Sequence, residues 1–137
     1  MEQFVIDRAF IDRVTYALSL SAKHNVIGYE LFLYGKTLLY YCDINLSIDK
    51  ASWIERKRNS CIQFENSTLD LNIKNKGDLS EFYDKYGLNT EHYCLTPGSV
   101  PIFNEHNHCV GALTITGLTP EDDHRMALKV LGIEGGL

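Results

Sequence analysis

Apolar and polar positions alternate with two distinct periods along this chain. From about Phe4 to His24 the period is helical: Phe10, Val14, Ala17, Leu18 and Ser21 form a stripe at three- and four-residue spacing, and Asp7, Asp12, Arg13 and Lys23 lie elsewhere. "GYELFLYGKTLLYYCD" then switches to β-rich runs. Tyr29–Tyr34 and Thr37–Cys42 flank Gly35-Lys36, which predicts a hairpin whose two-residue turn begins with glycine. A second helix is expected from Asp49 to about Phe64, and a shorter one near 78–86, stopped by Gly87. "EHYCL" reads as a short strand. "TPGSVPIFNEHNHCVGALTITG" reads as two strands joined by a turn at 104–107. "LDLNIKNKGD" is the loosest part, with alternating apolar residues that lack a clear partner.

The last element opens with a local signal. Thr119 is a good N-cap, Pro120 suits the first helical position, and Asp122 completes a capping-box spacing. Strand, glycine and helix start in "VGALTITGLTPEDDH" also suggest a phosphate cradle. Glu121, Asp122 and Asp123 argue against it, because they already fill the positive end of the helix dipole with negative charge. The order helix, hairpin, helix, short helix, strands, helix predicts an α+β fold. Its five-stranded antiparallel sheet would be flanked by helices in a profilin-like layout, and residues 1–137 would form one domain.

The second helix carries the most informative residue. On a helical wheel, Trp53, Ile54, Cys61 and Phe64 share one face. Lys57 lies in the middle of that face, with Arg56 and Arg58 to either side. An ammonium centred in an apolar stripe needs a partner or an exit to water. One reading is a lysine that snorkels past Trp53 or pairs with a structural carboxylate. The other is a lysine lining a pocket between helix and sheet, where it meets an anionic ligand or a carbonyl. A desolvated lysine can serve as nucleophile or base, but the sequence supplies no partner groups for such catalysis. In the structural reading, Lys57→Met keeps length and apolar fit and should leave the fold intact.

Composition narrows the function. Of 137 residues, 45% are hydrophobic and 23% charged, and the net charge is -5. That balance describes a globular chain rather than a disordered one. It gives no electrostatic reason to bind nucleic acid. No apolar run approaches the ~20 residues that span a bilayer. No secretory signal is read at the N-terminus, and the four cysteines show no CxxC spacing. A cytoplasmic protein with reduced thiols is therefore expected. Tyr29, Tyr34, Tyr40 and Tyr41 crowd the hairpin, which predicts a surface that another subunit covers. His92-x-Cys94 and His106-x-His108, with Cys109 beside them, are candidate transition-metal ligands, or one histidine could be an axial ligand to haem iron. Their spacing matches no zinc signature, and no metal site is assigned.

"WIERKRNSCIQFENS", "GSVPIF" and "VGALTITGLTPEDDH" together resemble the haem-degrading-domain superfamily of HbpS-like and GlcG-like proteins. The similarity is greatest to its branch of small, uncharacterised cytoplasmic proteins. The matching positions are Trp53, Arg56 and Lys57, then Gly98, Ser99, Pro101 and Ile102, then Val110, Gly111, Thr114, Thr116, Gly117, Leu118, Asp123 and His124. The chain departs from the pattern at Val100 and at its "NEHN" turn. The resemblance implies the five-stranded sheet and a homo-oligomer. With the Lys57 face of the second helix, the matched positions Trp53, Arg56, Lys57, Ser99 and Pro101 are the expected ligand-binding set, for an unknown, anionic small molecule. The expected function is an oligomeric small-ligand-binding or accessory protein without enzymatic activity. The alternative is a haem- or metal-binding protein that degrades haem.

Overall fold

The computed structural model describes residues 2–133. A 17-residue helix α1 (Arg8–His24) follows a two-residue strand β1 (Gln3–Phe4). Strands β2 (Gly28–Leu33) and β3 (Lys36–Cys42) form the hairpin. Four helices come next: α2 (Ile48–Ala51), α3 (Trp53–Phe64), α4 (Thr68–Lys74) and α5 (Leu79–Tyr86). Strands β4 (Ser99–Asn104) and β5 (Cys109–Thr116) lead into α6 (Pro120–Leu131).

The five strands form one sheet in the order β1-β4-β5-β2-β3. Every pairing is antiparallel except β1 with β4, which is parallel. The expected α+β class and strand number hold, but the fifth strand is not the expected one. Residues 91–95 form no strand. Their backbone groups find side chains instead: Cys94 N–H donates to Ser60 Oγ at 2.9 Å, and the Tyr93 carbonyl accepts from Tyr83 Oη at 2.7 Å. A segment satisfied in this way has no call for a ladder. The fifth strand is Gln3–Phe4, taken from the start of the expected first helix. That helix begins later, where the Asp7 carboxylate accepts from Phe10 N–H at 2.9 Å.

Three other boundaries differ. The hairpin turn is Tyr34-Gly35 rather than Gly35-Lys36, and both residues have positive φ (52° and 76°), the I′ geometry that suits strand twist. The second helix is split at Ser52 and starts at Ile48 behind a Ser47 cap. The stretch read as loosest contains most of α4. Ser67 caps that helix, and Asn72 donates to the Leu95 carbonyl at 2.9 Å. Leu71, Phe82 and Leu95 then make a small second core.

Strand alternation divides the sheet. Leu31, Leu33, Val100, Ile102, Leu113 and Ile115 face α1 and α6, and join Phe10, Val14, Leu18, Ala127, Val130 and Leu131 in the main core. The opposite face carries Glu30, Ser99, Thr114 and Thr116, all buried, and α3 packs over it. No helix among the described residues is long and apolar enough to cross a membrane.

Candidate functional site

The polar face of the sheet places Lys57. Ile54 and Cys61, a helical turn to either side, are buried and hold α3 down. Lys57 therefore points inward, and its side chain is 2% exposed. Its Nζ donates to Asp123 Oδ2 at 3.1 Å and to the Ile115 carbonyl at 3.0 Å. Asp123, on the first turn of α6, is 3% exposed, and its Oδ1 accepts from Leu118 N–H at 3.0 Å. One ion pair thus ties α3, the end of β5 and the start of α6. The acidic residue that weakens a phosphate cradle is, in three dimensions, the lysine's partner.

Gly98 makes room for this pair. A Cβ there would lie 2.6 Å from Lys57 Nζ and 2.6 Å from the Ile115 oxygen, and its φ is +138°. Only glycine meets both demands. Burial pushes the Lys57 amine below its ordinary value, and the nearby Asp123 charge opposes that shift. Burial likewise raises the Asp123 carboxyl against the pull of Lys57. The two groups are drawn toward each other, so their proton is more evenly contested than in an exposed ion pair.

A cleft of about 190 Å³ opens beside the pair, lined by Asp49, Lys50, Trp53, Lys57, Thr116 and Asp123 among others. Lys50 Nζ donates to the Gly117 carbonyl at 3.0 Å, and Thr116 Oγ1 donates to the Lys50 carbonyl at 2.9 Å. The Arg56 guanidinium stacks 3.8 Å from the centre of the Trp53 ring. Its Nε is buried without a hydrogen-bond partner among the described residues. Arg58 turns the other way. Its Nε donates to Glu30 Oε1 at 3.0 Å, and Thr37 Oγ1 donates to the other carboxylate oxygen at 2.7 Å.

Trp53, Arg56 and Lys57 thus gather at one place, as the helical spacing requires. Ser99 and Pro101 do not join them. Ser99 is buried, with its hydroxyl 2.9 Å from Thr114 Oγ1 and its N–H donating to Thr68 Oγ1 at 3.0 Å. Pro101 lines a separate cleft of about 260 Å³ with His124, Asp70 and Glu65. Sequence reasoning missed the parts of the site that come from far along the chain. Asp123 was visible as helix-start charge and as part of a pattern, and Gly98 only as part of a pattern. Lys50, three residues before Trp53, carried no signal, because its exposed position on a short helix looks like any solvated lysine.

The histidine and cysteine candidates are dispersed. His92 is exposed, with Nδ1 3.5 Å from Glu55 Oε1, and Cys94 is buried, so they share no strand face. His106 and His108 stand exposed on the β4–β5 turn, where the Asn104 side chain accepts from both backbone N–H groups at 3.0 Å. No group of three or more His, Cys, Asp or Glu converges among the described residues. A larger groove of about 630 Å³ runs between α1 and α6, lined by Leu20, His24, Arg125, Met126 and Lys129 among others.

A mostly antiparallel five-stranded sheet, covered by helices on both faces and clamped by a buried Lys–Asp pair, defines an α+β protein of HbpS-like architecture. Residues 33–132 match the family model described as "Haem degrading protein HbpS-like", and the chain belongs to that family. A UPF0303 protein of Psychromonas ingrahamii is 29% identical over 106 residues, which cover 77% of this chain and 67% of that one. The chain spans about two thirds of the length of the curated relatives it matches. Among solved structures, the Ybr137w protein is 25% identical with a TM-score of 0.80, covering 94% of this chain and 78% of that one. A PduOC–haem complex shares the fold at 12% identity, with a TM-score of 0.73 over 93% of this chain and 94% of that one.

Proposed function

We propose that this chain is an oligomeric small-ligand-binding or accessory protein of the cytoplasm, acting as one domain, whose ligand is a small anion held in the α3–α6 cleft. The unpartnered Arg56 Nε beside the Trp53 ring carries this reading. A buried polar group without a partner calls for an explanation, and a bound ligand is one. Lys57 is neutralised internally by Asp123, so Lys50 supplies the attraction in the lining, and Arg56, stacked on the lining residue Trp53, adds positive charge behind it. The cleft's 190 Å³ falls below the ~300–1,000 Å³ of sites for drug-sized molecules, which favours a ligand of few atoms. The hairpin supports assembly: Tyr34, Leu38, Tyr40 and Tyr41 are exposed on or beside the edge strand β3.

A second reading is favoured by the α1–α6 groove. Haem does not fit the smaller cleft, but the 630 Å³ groove is of the right order, and it offers His24 and Met126, side chains of the types that bind haem iron. Arg125 and Lys129 suit its carboxylates.

Thermal shift against small carboxylates, inorganic phosphate and haem tests both. Wild type should be stabilised by a small carboxylate, and Arg56→Ala, which leaves the buried pair untouched, should lose that response. Equal stabilisation of both proteins would move the ligand away from this cleft. A saturating Soret band lost in His24→Ala would establish the second reading. Light scattering that gives a monomer mass would remove the assembly.

A further inference from the structure

Lys57 holds two features that a structural ion pair alone does not require. It lines an open cleft, and among the described residues its ammonium uses two of its three N–H groups, on Asp123 and the Ile115 carbonyl. The carboxylate 3.1 Å away can take the proton that an amine must lose before it attacks. Thr116 and Lys50 line the opening with groups suited to a carboxylate, and Trp53 lines it with Arg56 stacked on its ring. The volume corresponds to about six waters at ~30 Å³ each, the size of a molecule with six or so non-hydrogen atoms.

We propose that Lys57 forms a Schiff base with a small 2-oxo acid admitted to this cleft, and that Asp123 carries the protons of that step. The proposal rests on reading the cleft as an anion site and names the class of anion. Lys57 first gives a proton to Asp123. Rotation about the Cε–Nζ bond turns the nitrogen lone pair toward the cleft, and Nζ bonds to the carbonyl carbon. The carbonyl π pair moves to oxygen, which takes the proton from Asp123. The positively charged nitrogen returns one of its protons to Asp123, giving a neutral carbinolamine. Asp123 then protonates the hydroxyl, water leaves, and the nitrogen lone pair closes the C=N bond as an iminium beside the Asp123 carboxylate. Nothing is oxidised or reduced, and one water is released. Burial helps, because it lowers the amine's affinity for its proton. The substrate carboxylate remains at the rim with Lys50 and Thr116.

The experiment is reductive trapping on the intact wild-type protein. Pyruvate and cyanoborohydride are added, and the modified lysines are mapped by peptide mass spectrometry. Lys57, although 2% exposed, should be labelled about tenfold faster than any exposed lysine, as an activated nucleophile should be. Lactate, which has the same carboxylate but no carbonyl, should protect it. Lys57→Arg should lose the adduct at the helix α3 peptide, and Asp123→Asn should slow it while circular dichroism shows the fold retained. Wild-type labelling decides the matter if either variant fails to fold. Saturable pyruvate binding with adducts confined to exposed lysines would overturn the Schiff base and leave the anion site standing. Neither saturable binding nor a Lys57 adduct would overturn both.

Discussion

The two faces of the sheet are built from the same strands by opposite means. Under α1 and α6, Leu31, Leu33, Leu113 and Ile115 meet Phe10, Val14 and Leu18 in an apolar core. Under α3, the neighbouring residues of the same strands are Glu30, Thr114 and Thr116, paired with Arg58, the Ser99 hydroxyl and the Lys50 carbonyl, and Lys57 bonds the Ile115 carbonyl beside them. The apolar face is held by area and close packing, which are non-directional and tolerate exchange of similar volumes. The polar face is held by specific pairs. Each buried group there needs its partner, and the Lys57–Asp123 pair fixes one arrangement of three elements. The same strands thus give a robust foundation on one side and a positioned set of charges on the other. The candidate site is on the second.

The largest expected effect comes from unpairing the polar face. Lys57→Met leaves Asp123 buried with only the Leu118 N–H, and should cost about 3–5 kcal/mol in urea denaturation. The structural reading of the sequence allowed a carboxylate partner but expected the fold to stay intact; with Asp123 as that partner, 66 residues away, the expected outcome is a loss. Lys57→Met with Asp123→Leu should recover most of the loss. A single variant as stable as wild type would show that the pair does not hold the face together. On the apolar face, Leu113→Ala should cost about 2–5 kcal/mol through lost transfer energy and a cavity. Leu113→Met should be nearly silent, whereas no one-residue exchange at Lys57 should be.

Gly98→Ala comes next. Its Cβ collides with the Lys57 ammonium and the Ile115 oxygen at a φ of +138°, and the loss should be about 1–3 kcal/mol by the same denaturation assay. The smallest effect is one of pH. Burial lowers the His124 imidazole below 6.5, opposed by Asp70 and aided by Arg125. Between that lowered value and 6.5 the unfolded chain binds more protons than the folded one. Stability is therefore complete above about pH 6.5 and falls as the pH drops through the window. His124→Gln should flatten that limb of a melting-temperature profile, and an unchanged limb would assign it to another group.

The sequence by itself determined what depends on near neighbours. The stripe Phe10–Val14–Leu18 is the buried side of α1 because residues three and four apart meet on a helix. Thr119 caps α6, accepting from Asp122 N–H at 3.2 Å, because that bond spans three residues. Lys57 faces inward because Ile54 and Cys61 do. Tertiary structure decided what depends on distant partners. Gln3–Phe4 is a strand only because the edge of β4 is there to pair with it, and residues 91–95 are not one because α3 and α5 satisfy them first. The partner of Lys57 could not be read either. Asp123 has the same chemistry as Glu121 and Asp122 in its own turn, and only the approach of α6 to α3 across the end of β5 selects it. Helical period states which way a side chain points. What it meets there is a property of the packed fold, because a buried charge is satisfied through space and not along the chain.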